Sequence, residues 1–325
     1  MESIIQYALN HAHTYKTDKS IYNIVNGKKS HQTFFDACSQ RLMSLYHILP
    51  ELKYTTFEDI ISDQHHQTTD SSEMIKVHPR FSYDSLSLTF KALQLLIQTV
   101  SHVERNNKAF MPLTEQAVIQ KGVKQLFYYI QNNDLVTAFI DELYQLFKHL
   151  DEQQEQSVLH YYLQGYEEAM YTRQQISLIE GLDETEVFRL EYNGLVEMMF
   201  EFEDVDRYPI LNQLIVYPPL SYNTSETYVH LQQGKTMDQI ARHKHVKINT
   251  IEDHILELFI KGYIADYTHF VSNAQLTKFK TYYLAQPTLR LREYKEMMDE
   301  LDYFQIKLLI VGIERGELGV TTSVE

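Results

Sequence analysis

One short stretch of this sequence is rich in cations that could bind phosphate. Residues 231–250 contain one acidic residue, Asp238, and four basic residues: Lys235, Arg242, Lys244 and Lys247. Ammonium and guanidinium groups bind the phosphate backbone of nucleic acids through charge, with little regard to base sequence. We therefore predict that these four side chains contact phosphate.

Polar residues at the end of this stretch carry groups that can read bases. Asn249, Thr250 and His254 offer donors and acceptors for base edges, and we expect them to face outward at the start of a reading helix. Three acidic residues lie on or near the same surface: Glu252, Asp253 and Glu257. Because carboxylates repel phosphate, strong sequence-specific recognition is not expected.

Two capped helices must position these residues. Thr236 with Gln239 fits a capping box, and so does Asn249 with Glu252, which predicts two helices joined by a tight polar connection. Gly262 is expected to end the second helix. Apolar residues at helical spacing supply a small core for the pair: Ile240, Val246, Ile251, Ile255 and Leu258. The pattern predicts a helix-turn-helix, although two packed helices without a DNA role would look the same.

A second pattern of the same kind lies 64 positions earlier. Thr172 then corresponds to Thr236, Ile176 to Ile240 and Val187 to Ile251, so caps and core positions coincide. The second helix of this earlier pattern starts with the acidic run 183–186, which would repel phosphate. We expect this copy not to touch DNA. Its acidic face could bind a basic partner, cover the basic copy, or serve solubility alone.

The net charge of −15 is unevenly distributed along the chain. Residues 151–220 carry 3 basic and 15 acidic groups, whereas residues 221–325 carry 12 and 14. The global charge therefore does not exclude nucleic-acid binding by either flank. We predict an N-terminal helical domain (1–149), an acidic helix-turn-helix-like segment (150–216), a Pro-containing linker (217–224) and a C-terminal helix-turn-helix domain (225–325).

Composition indicates an all-α protein. Gly and Pro total 10 and 7 in 325 residues, and apolar residues recur at helical spacing along most of the chain. The single cysteine, Cys38, excludes an internal disulfide, and neither a signal sequence nor a long apolar run occurs. We expect a cytoplasmic protein with Cys38 buried, an exposed polar loop at 62–72 and a frayed tail at 316–325.

A second possible phosphate contact lies near the N-terminus. Gly27 is expected to end one helix and Ser30 to cap the next, with Lys28 and Lys29 between them. A helix N-terminus flanked by two lysines can hold a phosphate. An exposed turn whose lysines meet only water explains the same residues equally well.

Catalytic patterns are not found in the sequence. Gly234-Lys235-Thr236 resembles the end of a nucleotide-binding loop, but Val229 stands where that loop needs glycine. The histidine pairs His11/His13 and His243/His245 point to different sides of a helix, so a metal site is not expected. We predict a non-enzyme that uses no cofactor, no metal and no small-molecule substrate.

Residues 222–314 resemble a known domain. The similarity is to the helicase-associated helix-turn-helix domain. It is carried, in order, by Thr227-Tyr228, Leu231, 234–241, 249–254, Gly262 and the terminal 303–308. That domain occurs at the C-terminus of some RecQ-type helicases and in separate YpbB-like proteins of Gram-positive bacteria. The segment 21–37 also resembles the latter. The resemblance implies an accessory role in DNA transactions beside a RecQ-type helicase, and it supplies no catalytic residues.

Three functions remain open at this point. The leading hypothesis is an accessory DNA-binding protein that acts with a RecQ-type helicase in DNA repair, recombination or replication. The second is a protein-interaction module that binds the helicase without contacting DNA. The third is a transcriptional regulator, which would favour a two-fold dimer, but no dimerisation heptad is seen.

Overall fold

A computed structural model describes residues 1–64, 75–153 and 156–318. These residues form fifteen α-helices joined by turns and three short 3-10 segments, and contain no β-strand, which confirms the all-α prediction. The helices are α1 Glu2–Asn10, α2 Asp18–Asn26, α3 His31–Ser39, α4 Tyr54–Gln64, α5 Tyr83–Glu104, α6 Ala117–Asn132, α7 Val136–Gln153, α8 Arg173–Glu180, α9 Glu184–Glu203, α10 Tyr222–Gln232, α11 Met237–Lys244, α12 Ile248–Ile260, α13 Asn273–Ala285, α14 Leu291–Met297 and α15 Tyr303–Glu314.

The helices form two compact units. The central unit consists mainly of Asp84–Val216, and the terminal unit combines the described part of Glu2–Ser72, Pro79–Tyr83 and the chain from Tyr217 onward. This division differs from the predicted N-terminal domain 1–149, because residues 2–64 pack with the C-terminal helices instead. A boundary does fall beside the Pro-containing segment that begins at Tyr217.

Helix α3 explains why the two ends of the chain share one unit. Every residue from Thr33 to Gln40 is buried, so this helix has no solvent face and must be covered on all sides. It packs against α2, α12 and α15. An all-round buried helix is a core element, and two of its partners, α12 and α15, lie more than 200 residues away in sequence.

The central unit contains the acidic copy of the repeated pattern. Helix α8 begins at a capping box of Thr172 and Gln175, and α9 begins after Asp183, whose carboxylate accepts the N–H groups of Thr185 and Glu186. A small core holds the two helices together: Val158, Ile176, Val187 and Leu190, with Tyr161, Tyr162 and Leu182 against it. The predicted helix pair is therefore present.

A frayed tail was predicted at 316–325, but the last described residues contact the rest of the chain. The Glu317 carboxylate accepts a hydrogen bond of 2.5 Å from the Tyr267 hydroxyl, and Leu318 lies against Gly312. The chain is thus anchored as far as residue 318, while 319–325 lie outside the described residues. Of the predicted loop 62–72, residues 62–64 end α4, and the remainder is likewise outside the described part.

Candidate nucleic-acid interface

The predicted helix-turn-helix is formed by α10, α11 and α12. The capping box of Thr236 and Gln239 starts α11, and His245 then turns the chain with a left-handed φ of 53°. Gly262, with φ 79°, follows the end of α12 as predicted. Of the predicted core residues, Val246 is half-buried and four are fully buried: Ile240, Ile251, Ile255 and Leu258.

The start of α12 differs from the prediction. The helix begins at Ile248 after Lys247, so Asn249 lies inside the first turn and cannot act as the cap. The left-handed residue His245 and the Val246 N–H bond to the Ala241 carbonyl complete the turn early. Lys247 occupies the cap position and provides no side-chain hydrogen bond to the helix. The positive end of α12 therefore carries a cation instead of a carboxylate.

Two of the four predicted phosphate-binding cations are exposed. Arg242 lies in the last turn of α11 and Lys247 at the start of α12, on either side of the turn. Neither forms an ion pair with any residue that the structure describes. Asn249 is also exposed and Thr250 is half-buried, so both lie beside Lys247 at the accessible end of α12.

Lys235 is half-buried beside two histidines. Its Nζ lies 2.9 Å from Nδ1 of His230, and the His230 ring meets the His243 ring at 4.7 Å between centroids, nearly at right angles. These side chains connect α10 with α11. Lys235 therefore reaches solvent less freely than Arg242.

Lys244 does not have the predicted role. Its Nζ forms an ion pair of 2.6 Å with Glu226 and donates to the Asn223 carbonyl at 3.1 Å, and the side chain is 10% exposed. The pKa of Glu226 is lowered by the hydrogen bond from Lys244. The lysine thus fastens α11 to α10 and is not available to phosphate. Its position near the end of α11 turns it inward, which the local charge count could not reveal.

His254 also departs from the prediction, because it is buried and does not face outward. It is 4% exposed, and its Nδ1 lies 2.8 Å from the Thr227 hydroxyl on α10. Burial, followed by the nearby charges of His31 and Lys244, lowers its pKa. A base edge cannot reach this ring while α3 and α10 pack against it.

Most of α12 is a core helix. Every residue from His254 to Lys261 is buried, whereas Lys247–Asp253 includes the exposed and half-exposed positions. Helices α3, α10, α11 and α15 surround the buried part. Only the first turn and a half of the predicted reading helix can therefore meet a ligand.

Glu257 was predicted on or near the surface that would meet phosphate, but it belongs to this core. Its carboxylate pairs with Lys261 at 2.6 Å and accepts from the Thr224 hydroxyl at 2.6 Å. Burial acts to raise the pKa of Glu257, but Lys261 and the hydrogen bonds outweigh burial and the pKa is lowered. The remaining acids, Glu252 and Asp253, are half-exposed.

Lys28 and Lys29 lie in the same unit as α12. Both are exposed, between Gly27 with φ 79° and Ser30, whose hydroxyl accepts from the Thr33 N–H at the start of α3. Gly27 is required there, since a Cβ would meet the His47 ring at 2.1 Å. The ring of the next residue, His31, lies 5.8 Å from the ring of His254 of α12 and is tilted by 50° relative to it. The two lysines thus precede the end of α3 that contacts the middle of α12.

The acidic copy has the same helix boundaries around its turn as the basic copy, with a different surface. After a shift of 64 positions, both bounds of α8 coincide with those of α11, and the start of α9 coincides with the start of α12. The left-handed residue Gly181 then coincides with His245, which is also left-handed. The cap position holds Asp183 in one copy and Lys247 in the other. The same register, applied to the sequence, would have identified Lys247 as the cap residue, a signal that the Asn249 prediction missed.

Other kinds of site receive no support from the geometry. Within the described ranges, no group of three or more His, Cys, Asp or Glu side chains is arranged to hold a metal ion. Cys38 is fully buried, and burial raises the pKa of its thiol to about 12, so it is an inert core residue. Over residues 1–64, 75–153 and 156–318, no helix has both the length and the apolar character to cross a bilayer.

Comparison with known proteins supports the helix-turn-helix. Residues 223–310 match a family described as "Helix-turn-helix domain". The chain is similar to Protein YpbB of Bacillus subtilis (strain 168), with 22% identity over 332 aligned residues that cover 91% of this chain and 92% of that protein. No solved structure gives a significant match. Together these similarities support a helix-turn-helix domain within residues 223–310 and a likeness to Protein YpbB along most of the chain.

Proposed function

We propose that this chain is a cytoplasmic, non-enzymatic accessory protein that binds the DNA backbone through its basic copy and acts with a RecQ-type helicase in DNA repair, recombination or replication. The observation that carries DNA binding is the exposed end of α12, where Lys247 occupies the cap position and Arg242 lies across the turn. A helix N-terminus and two cations provide both hydrogen-bond donors and charge for phosphate.

The same geometry favours backbone contact over base reading. A helix that reads the major groove inserts an exposed face along several turns, whereas α12 is buried from His254 onward. Asn249 and Thr250 are the remaining candidates for base contact. We therefore expect similar affinity for unrelated sequences, with Lys28, Lys29 and the half-buried Lys235 as secondary phosphate contacts.

The helicase is proposed on a different ground from DNA binding. It rests on the resemblance of residues 222–314 to the domain that ends some RecQ-type helicases, and of residues 21–37 to stand-alone YpbB-like proteins. A protein that holds DNA near such a motor would need no active site of its own. The helicase partner therefore rests on sequence resemblance, whereas DNA binding rests on the geometry of α12.

Salt-dependent DNA binding tests the interface. We expect wild-type protein to bind duplex DNA with a negative log–log salt slope, and each of Arg242→Glu and Lys247→Glu to reduce its magnitude by about 0.9. Lys121→Glu is the matched control, because Lys121 is also exposed on a helix but lies on α6 of the central unit. Equal losses in all three variants would contradict a local interface.

A protein-interaction module is the second candidate function. The burial of α12 favours it, because a helix-turn-helix whose reading helix is mostly covered has lost the main DNA-recognition element. If wild-type protein binds no duplex, forked or single-stranded DNA at low salt but forms a complex with a purified RecQ-type helicase, this candidate replaces the first. A transcriptional regulator would instead prefer one duplex sequence strongly.

A further inference from the structure

The acidic copy exposes an apolar pair that its own fold does not use. Leu178 and Ile179, near the end of α8, are 78% and 52% exposed. One exposed leucine is ordinary, but two adjacent large apolar residues beside a turn form a small surface that water solvates poorly. The core of this copy is completed without them, by residues such as Ile176 and Val187.

The repeat register shows what this surface replaces. Leu178 and Ile179 coincide with Arg242 and His243 of the basic copy, and Asp183 coincides with Lys247. Arg242 and Lys247 carry cations around the basic turn, whereas Leu178 and Asp183 place an apolar group and a carboxylate at the matched positions of the acidic turn. The helix boundaries around the two turns coincide, so the turns differ in the chemistry of their exposed side chains.

Carboxylates follow the apolar pair in the chain, across the turn that joins α8 and α9. Asp183 and Glu184 are exposed, and the hydrogen bond from the Thr185 hydroxyl keeps the pKa of Asp183 below its ordinary value, so it is ionised at neutral pH. Glu180 is different, since Tyr161 and Gln156 already donate to it. Within the described part of the chain, Glu184 has no ion-pair partner. DNA would be repelled here, whereas a cationic protein segment would be attracted.

We propose that Leu178, Ile179, Asp183 and Glu184 form a docking surface for a basic amphipathic helix of a partner protein. Its apolar residues would cover Leu178 and Ile179, and its lysines or arginines would meet Asp183 and Glu184. Helix-on-surface recognition of this kind uses apolar anchors for affinity and flanking charge for orientation and rate. The inference stands apart from DNA binding, which uses the other copy.

Reciprocal exchange between the copies tests this assignment. The probe is a fluorescein-labelled helical peptide of about 18 residues with a leucine face and a lysine face. The full chain is compared with Leu178→Arg/Ile179→His, which installs the basic copy's residues, and with Arg242→Leu/His243→Ile, which does the reverse. Asp183→Asn removes the charge while retaining a good helix cap.

The expected results separate the two surfaces. Leu178→Arg/Ile179→His should weaken peptide binding at least about tenfold, a free-energy change of about 1.4 kcal/mol, and leave DNA binding unchanged. Arg242→Leu/His243→Ile should lower DNA binding and retain peptide binding. Asp183→Asn should weaken peptide binding less than the double substitution and show a smaller salt dependence. Circular dichroism verifies that each variant is folded.

Three outcomes would overturn the docking surface. The first is no binding of the peptide, and the second is equal binding by wild type and by Leu178→Arg/Ile179→His. The third is concentration-dependent self-association of the wild type that this double substitution abolishes, because the occupant would then be a second copy of the chain. Loss of DNA binding by Arg242→Leu/His243→Ile alone leaves the docking surface unaffected, so failure of either proposal can be recognised separately.

Discussion

The acidic and basic copies place the same helix pair in two different settings. In α12 every residue from His254 onward is buried, whereas α9 alternates buried residues such as Leu190 with half-buried ones and exposes Phe200. Exposed positions that the two copies share lie at the turn and the adjoining helix ends. At those positions the two copies differ in charge, with Asp183 opposite Lys247 in the register. The comparison teaches that one helix-pair geometry can present opposite charges at its turn.

The largest expected effect concerns the shared core. Ile176 and Ile240 occupy matched positions and are both fully buried. Replacing either with alanine removes buried apolar volume and leaves a cavity, so each should lower the free energy of unfolding by about 2–5 kcal/mol. Urea denaturation of the two variants measures both. A cost below about 1 kcal/mol for only one of them would show that the copies do not share a core design.

The cap exchange should move stability and binding in opposite directions. Lys247→Asp installs the acidic copy's cap, which should stabilise α12 by about 0.5–2 kcal/mol while it weakens DNA binding about tenfold or more through loss of a phosphate contact. Thermal denaturation and fluorescence anisotropy measure the two effects. Lys247→Gln is the control that removes charge without adding a carboxylate. Stronger DNA binding by Lys247→Asp would contradict the interface.

The stability of the terminal unit should depend on pH through His254. The pKa of His254 is lowered in the folded protein, so the unfolded chain binds the proton more tightly and stability decreases as the pH falls below about 6.5. The groups around it are His31 on α3, Lys244 on α11, and Asp253 and Glu257 on α12 itself.

The acidic copy has Leu190 at the matched position and should lack this contribution. Urea denaturation at a series of pH values, compared for wild type and His254→Gln, checks it. The variant should lose less stability than wild type between pH 7 and pH 5. Identical pH profiles would show that His254 titrates as freely in the folded protein as in the unfolded chain.

The smallest expected effect is at Lys244. Because its ammonium group is already paired with Glu226, Lys244→Gln should change DNA affinity by no more than about twofold and lower stability by about 0.5–1 kcal/mol, as expected for a partly exposed ion pair. Anisotropy titrations beside Arg242→Gln provide the comparison. A loss as large as that of Arg242→Gln would return Lys244 to the phosphate-binding set.

The sequence alone determined the local design of this protein. Capping boxes and apolar spacing act within a few residues of one another, so they indicated α8, α11 and the repeat register without any knowledge of distant contacts. The charge contrast between the copies was equally visible. The missed start of α12 followed from preferring a familiar cap residue, Asn249, over the register with Asp183.

The tertiary structure decided which of these residues are accessible. Helix α3 comes from the far end of the chain and covers α12, which buries His254 and Glu257, and α10 brings Glu226 to Lys244. Such contacts join segments separated by many residues, and a linear pattern states only which side chains are polar and not what packs on them. For this reason helices and charges were predictable, whereas the accessible part of the reading helix was not.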